Sequence, residues 1–107
     1  MIEVSYHRKY NGITVIGHAK TGEIGHDLVC AAVSGLVLTM AANVNGLVES
    51  GAVKDHTIRL EHGTAEVSCV PVRKMRGVVA LVYETVCHGF EALSRLYPEN
   101  IRYQVYE

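Results

Sequence analysis

The chain has 107 residues, 49% of them hydrophobic, which is enough for one domain whose core needs no metal or disulfide. Ten basic and eleven acidic residues nearly cancel, and no block of basic residues stands out, so the composition argues against nucleic acid as a direct ligand. The three cysteines are widely spaced and form no CxxC pair, which argues against a disulfide framework and favours a reducing compartment. The N-terminus shows no export signal, so we expect a cytoplasmic protein.

The first part of the chain predicts a β-hairpin. Apolar and polar residues alternate over residues 2–6, Asn11-Gly12 supplies a turn, and residues 13–16 resume the extended pattern. His18 is therefore predicted at the end of the second strand.

A glycine-containing loop is predicted to join this hairpin to a helix. Gly22 and Gly25 permit backbone angles that are closed to other residues, so the loop can change shape. Asp27 is predicted to cap the helix, whose first turn then contains Cys30. The helix is expected to stop near Gly46 or Gly51.

Residues 28–48 carry no charge and approach the roughly 20 residues that a bilayer span needs. Polar residues and two glycines interrupt the stretch, and the alternating strands on either side need an apolar element to pack against. A buried helix on a sheet explains the stretch better than a membrane span, so we expect no membrane partner.

The second part of the chain repeats the pattern of two strands and a helix. Residues 58–61 and 66–70 predict strands around a turn at residues 62–64, and apolar residues recur every three or four positions from Lys74 to Tyr97. A last strand follows at residues 101–105. The order strand-strand-helix-strand-strand-helix-strand predicts one α+β domain over residues 1–107, with a mostly antiparallel sheet covered by two helices. Several strand orders satisfy this pattern.

His18 and Cys30 are candidates for a base and a thiol nucleophile. A thiolate needs a base within reach, or a field that stabilises negative charge. The first turn of a helix and a nearby imidazole together lower a cysteine pKa from about 8.5 to roughly 3.5–7.5, and the N–H groups of that turn can receive an oxyanion. The alternative is structural: Cys30 is a small buried residue and His18 a histidine at a strand end.

Other interpretations of this segment stay open. His18, His26 and Cys30 could ligate zinc, because residues 26 and 30 share a helix face if the helix begins early. Asp27 can act only as a cap, or it can also orient His18 or a substrate amide. Ser34, one turn beyond Cys30, can hydrogen-bond near the thiol or simply let the helix pack closely.

The remaining cysteines and three of the histidines are predicted to be structural. Cys69 lies in an alternating strand and Cys87 in the apolar run of the second helix, so both are expected to pack in the core. The histidines at positions 7, 56 and 62 are predicted on the surface or in turns.

The segment Gly17-His18-Ala19, with Gly22, Gly25, Asp27 and the run from Val29 to Ser34, resembles the ribosomal-processing cysteine proteases called Prp. The resemblance implies that His18 matches the catalytic histidine and Cys30 the nucleophile. It also implies that Gly17, Asp27 and Ser34 support the site, and that Gly22 and Gly25 belong to a mobile loop that admits substrate.

The same resemblance implies an activity and partners. The expected protein is a cytoplasmic bacterial endopeptidase that removes the N-terminal extension of large-subunit ribosomal protein number twenty-seven. It cleaves after an aromatic-containing hydrophobic stretch and before a small residue, acts as a homodimer and uses no cofactor. The rival function is a non-enzymatic ribosome-associated or zinc-binding protein.

Overall fold

A computed structural model describes residues 1–17 and 24–107, with side chains described from residue 28 in the second range. These residues form an α+β domain, as predicted. Two three-residue 3-10 helices, Arg8–Tyr10 and Arg73–Met75, precede β2 and α2. The main elements are β1 (Ile2–His7), β2 (Gly12–Ile16), α1 (Ile24–Glu49), β3 (Val53–Glu61), β4 (Thr64–Pro71), α2 (Arg76–Leu96) and β5 (Ile101–Tyr106).

The strands of the described chain form one mixed sheet in the order β3-β4-β2-β1-β5. The pairs β3–β4, β4–β2 and β2–β1 are antiparallel, which confirms the mostly antiparallel sheet. Strand β5 pairs parallel to β1, with Ile101 opposite Ile2. A parallel neighbour requires a crossover, and α2 supplies it between β4 and β5.

Both helices contact the sheet, and the hydrophobic core lies between the helices and the sheet. The apolar residues that alternate along β1, β2 and β4 point into it, because successive side chains in a strand face opposite sides. The hydroxyl of Tyr83 in α2 donates a hydrogen bond to the Val67 carbonyl of β4 at 3.1 Å. Side chains with almost no exposure include Val4, Tyr6, Ile13, Val15, Val29, Val33, Met40, Val67, Tyr83 and Phe90.

Helix α1 is a core helix, as predicted. By length and composition alone, Leu28–Glu49 could cross a membrane. Its inward side, however, is covered by the sheet and α2. The buried residues of this side recur every three or four positions, at Val29, Val33, Val37, Met40 and Val44.

Gly51 ends α1, while Gly46 lies inside the helix. Gly51 has a φ of 78° and donates its N–H to the Val48 carbonyl at 3.1 Å. The Ala52 N–H reaches the Leu47 carbonyl at 2.9 Å. This left-handed glycine closure is the usual stop for a helix, and it confirms the second of the two predicted ends.

The start of α1 corrects the prediction. The helix begins at Ile24, so Asp27 is its fourth residue rather than its cap, and Gly25 lies in its first turn rather than in a loop. The physical reason is that an acidic residue is favourable both at a cap and inside the first turn. A glycine costs a helix only about 1 kcal/mol and does not forbid it.

Strand β3 is also longer than predicted, since it begins at Val53 instead of residue 58. Most of its side chains are exposed, because β3 is an edge strand of the described sheet and only one of its sides faces another strand. The first residues of β3 after Val53 are polar, so they do not show the alternation of apolar and polar residues that predicts a strand. Charged residues on an edge strand are a common protection against unwanted strand pairing.

Candidate active site

Gly17 fixes the end of β2. Its N–H donates a hydrogen bond to the Gly63 carbonyl in the β3–β4 turn at 2.9 Å. Its φ is 89°, and a Cβ added here lies 2.7 Å from the Met1 carbonyl oxygen. Both the backbone angle and the close approach therefore require glycine. The structure thus explains why position 17 is a glycine, which the sequence alone does not.

We expect Gly17→Ala to destabilise the protein more than Gly51→Ala. Both glycines have positive φ, which costs an L-residue about 1–2 kcal/mol. Only Gly17 adds a backbone clash, since the space around Gly51 is open within 4 Å. The clash adds about 1–3 kcal/mol to the loss of unfolding free energy, measured by urea titration. Equal losses for the two variants contradict this account.

His18 and Gly22 lie outside the described residues. Most of the predicted mobile loop around Gly22 and Gly25 also falls outside the described residues.

Cys30 is the seventh residue of α1 and is 9% exposed. It packs in the core cluster with its neighbours Val29 and Val33. The predicted position in the first turn is therefore wrong. The four N-terminal N–H groups of α1 belong to residues 24–27, and the dipole effect is confined to the first turn. The helix end consequently contributes little to the potential at this thiol.

The other two thiols are unsuited to nucleophilic attack. Cys69 and Cys87 are both 2% exposed, which confirms their predicted packing role. Burial raises the pKa of Cys69, and it raises the pKa of Cys87 to about 12. Both thiols therefore stay protonated at neutral pH, and a thiol attacks only as thiolate. This leaves Cys30 as the candidate nucleophile.

Ser34 follows Cys30 by one turn and lines a small cavity. The cavity has a volume of about 150 Å³ and lies between α1 and the β3–β4 hairpin. Its lining is mainly apolar, with one carboxylate, and consists of Ser34, Val37, Leu38, Leu60, Glu61 and Ala65. Ala65 pairs with Val15 in β2, two residues before Gly17. The cavity, Cys30 and Gly17 therefore share one end of the domain.

Sequence reasoning did not identify this cavity. Its two walls lie more than twenty residues apart in the chain, and the sequence pattern predicts Leu60 only as a strand residue. One feature that points to the cavity is the exposure of Leu60, which is 49% exposed on an edge strand near the Gly63 turn.

The zinc interpretation depended on an early helix start, and α1 does begin before His26. Among the side chains that the structure describes, no group of three or more His, Cys, Asp or Glu residues could hold a metal ion. The side chains of His18 and His26 are outside that set. The zinc alternative therefore has no described ligand set beyond Cys30 itself.

Several solved structures share the fold of this chain. The chain is similar to an essential ribosomal processing protease Prp from S. aureus, solved in complex with a substrate peptide. The identity is 24%, the match covers 98% of this chain and 99% of that one, and the TM-score is 0.74. The same S. aureus protease with a covalently linked product peptide matches at 24% identity with the same coverage and a TM-score of 0.72.

SMU.848 from Streptococcus mutans is also similar, at 23% identity over 98% of this chain and 91% of that one, with a TM-score of 0.69. These structural likenesses confirm the fold. A comparison with curated protein sequences gives no significant match.

The sequence identifies the protein family, whereas the structural likenesses show only the fold. The family model described as cysteine protease Prp matches residues 1–102, which is nearly the whole chain. That span includes the segment from Gly17 to Ser34 on which the resemblance was based. The chain therefore belongs to the cysteine protease Prp family.

Proposed function

We propose that the protein is a cytoplasmic cysteine endopeptidase that removes the N-terminal extension of large-subunit ribosomal protein number twenty-seven. Its family is that of a cysteine protease, and a relative of the same fold is a ribosomal processing protease. The observation that carries the proposal is an apolar cavity between α1 and the β3–β4 hairpin, which is lined by Ser34, one helical turn beyond Cys30.

The proposed chemistry uses His18 and Cys30 in two steps. His18 takes the thiol proton, and the Cys30 sulfur attacks the scissile carbonyl. The carbon–nitrogen bond breaks as His18 gives its proton to the leaving amine, which leaves a thioester on Cys30. Water, deprotonated by His18, then releases the acid and restores the thiol. A covalent peptide is also present in one of the S. aureus protease structures.

The cavity beside Ser34 suits an apolar side chain of the substrate. Its volume of about 150 Å³ is close to that of a dry protein cavity that binds benzene. An aromatic or large aliphatic side chain therefore fits, in agreement with the expected cleavage after an aromatic-containing hydrophobic stretch. Leu60 and Glu61 belong to edge strand β3, so an extended peptide could pair with this strand while a side chain enters the cavity.

We expect Leu60→Ala to lower kcat/KM for such a peptide by about 10-fold. Leu60 forms part of the cavity wall, and its loss removes apolar contact worth about 1–3 kcal/mol for one bound side chain. The loss is measured with a peptide that carries phenylalanine at the position before the cleaved bond.

The matched control for this prediction is Leu96→Ala, because Leu96 is an exposed leucine outside the cavity. It is expected to keep full activity. The cavity assignment is wrong if Leu60→Ala cleaves phenylalanine and alanine peptides with an unchanged ratio of kcat/KM values.

Incubation with the extended ribosomal protein tests the proposed substrate. Mass spectrometry should find one new N-terminus, at the junction between a hydrophobic stretch and a small residue. An intact ribosomal protein, under conditions in which a short peptide is cleaved, would rule out this substrate while leaving the peptidase activity in place.

We also propose that the protein is a homodimer, as the resemblance implies. Residues 28–48 carry no charge, so the outward side of α1 is uncharged, with apolar residues among a few polar ones. Leu38 on α1 and Leu81 on α2 are both exposed. Sedimentation should give a dimer that Leu38→Glu shifts toward monomer, and a monomeric protein at micromolar concentration would contradict the proposal.

A further inference from the structure

The near-zero net charge hides an uneven distribution of basic residues. Six of the ten Lys and Arg residues lie in three short segments: the β1–β2 connection, the start of β3, and the stretch that leads into α2. The sheet brings these segments to one end, since Val53 pairs with Pro71 and Gly12 with Ser68. The six residues are Arg8, Lys9, Lys54, Arg73, Lys74 and Arg76.

Four of these residues line one groove, which we name the basic groove. It has a volume of about 450 Å³ and is lined by Arg8, Lys9, Lys54 and Arg76, together with Tyr10 and uncharged residues. Among the described residues, no acidic side chain lines it. Positive charge on the wall of a concave surface attracts anions more strongly than the same charge on a flat one.

Most of the charge in the basic groove is not neutralised within the protein. Arg8 donates hydrogen bonds to Glu84 at 2.9 Å and to Glu107 at 2.6 Å, so its charge is offset. Lys9, Lys54 and Arg76 make no ion pair with any described acidic residue. Three cations around one groove repel one another unless an anion lies between them.

The start of α2 adds to the positive potential of the basic groove. Arg76 is the first residue of α2, and Arg73 and Lys74 precede it, while the first turn contains no acidic residue. The N-cap residue Met75 makes no side-chain hydrogen bond. Helix starts usually carry acidic residues that offset the dipole, so basic residues here raise the local potential further.

The acidic residue Asp55 lies close by, in an adjoining cavity of about 90 Å³ that also contacts Tyr10. Its carboxylate accepts a hydrogen bond from the His56 N–H at 2.9 Å. Asp55 does not line the basic groove itself. The lining of the groove is therefore positive, and the nearby acidic residues are Asp55 and the two partners of Arg8, Glu84 and Glu107.

An aromatic column stands at the edge of the groove. Tyr10 is 52% exposed, and its ring stacks on His7 with centroids 5.1 Å apart. His7 stacks in turn on Tyr106 at 5.2 Å. Grooves that combine cations with exposed aromatic rings are typical of single-stranded nucleic-acid binding, because phosphates meet the charges and bases stack on the rings. An acidic peptide supplies carboxylates for the cations, but it has no bases that could stack on the ring of Tyr10.

We propose that the basic groove binds a single-stranded polynucleotide, with Lys9, Lys54 and Arg76 contacting phosphates and Tyr10 contacting a base. The groove lies at the β1–β2 turn, whereas Gly17 ends the same strand β2 at the opposite end of the sheet. A bound strand therefore leaves the Cys30 end open to peptide. The overall composition does not show this local concentration of positive charge, so the proposal differs from the expectation of no direct nucleic acid.

Fluorescence anisotropy with a short labelled RNA tests the proposal. Three phosphate contacts predict that the affinity falls about 20-fold between about 50 and 200 mM salt. The triple variant Lys9→Glu, Lys54→Glu, Arg76→Glu should bind at least about 10-fold more weakly, with little remaining salt dependence. Tyr10→Leu should weaken RNA binding about 10-fold and leave binding of polyglutamate unchanged.

The matched control places the same change in charge elsewhere, with Arg59, Arg95 and Arg102 changed to Glu. It should bind RNA almost as well as the parent protein. The groove variant should still cleave a short peptide, which shows that it is folded. Binding of the matching single-stranded DNA also supports the site, and the ratio of the two affinities identifies the polynucleotide. Equal losses in both triple variants, or tighter binding of polyglutamate than of RNA, would overturn the proposal.

Discussion

Cys30→Ala is expected to abolish peptide cleavage, with a fall in kcat of more than about 10⁴-fold. The reason is that the covalent step has no other nucleophile, and removal of the nucleophile in a comparable hydrolase costs on the order of 10⁶. The variant should stay folded, because alanine is close to cysteine in size and Cys30 lies in an apolar cluster. Intact-mass measurement should find a peptide thioester on the parent protein and none on the variant.

The matched controls for Cys30→Ala are Cys69→Ala and Cys87→Ala. Both thiols are buried, and burial raises their pKa values, so neither supplies a thiolate at neutral pH. Each variant should cleave the peptide at a rate close to that of the parent protein, measured below its own unfolding temperature. Cleavage by Cys30→Ala, or a loss confined to Cys69→Ala, would show that the nucleophile is misassigned.

The elements that depend on burial on one side could be predicted well from the sequence. Ile2, Val4 and Tyr6 alternate with more exposed residues in β1 because one face of the sheet packs against the helices. The stop of α1 at Gly51 follows from a backbone angle that glycine adopts easily. In these places a single physical requirement determines which residue types are present.

Strand order and the length of β3 could not be predicted in the same way. The hydrogen bonds that set β1 beside β5 join backbone groups, and these are the same for every residue type except proline. The first half of β3 carries Lys54, Asp55 and His56, which an edge strand tolerates because little of it is buried. Its polar sequence therefore resembles a loop until the partner strand is known.

The site shows the same division between local and long-range information. The packing roles of Cys69 and Cys87 follow from local patterns, and the structure confirms them. The start of α1 depends on weak preferences that compete, and the predicted cap at Asp27 puts the first helical residue four positions too late. The cavity at Ser34 and Leu60 needs two elements that are distant in sequence, so no local pattern marks it.

The corrected helix start changes which group must activate the thiol. With Cys30 at the seventh position of α1, the dipole contributes little, because its effect falls off beyond the first turn. The surrounding core cluster is made of apolar residues. A nearby base is therefore more important here than for a cysteine at a helix start, and His18 is the residue proposed for that role.

His18→Ala is expected to lower kcat by about 10²–10⁴-fold, the usual contribution of a general acid and base. The same variant should shift the pH midpoint of Cys30 alkylation upward, toward the value of about 8.5 for an ordinary cysteine. The sign follows from the proposed pair: an imidazolium stabilises the thiolate, so its removal requires a higher pH to deprotonate the thiol. Iodoacetamide labelling across a pH series, with Cys69 and Cys87 changed to alanine, isolates this signal.

The matched control for His18→Ala is His88→Ala, which removes an exposed histidine of α2 and should change neither kcat nor the alkylation midpoint. The two readouts separate a chemical role for His18 from a structural one. If His18 only shaped the loop, kcat would fall while the midpoint of Cys30 alkylation stayed where it is in the parent protein. That result would require another base for Cys30 and would remove His18 from the proposed mechanism.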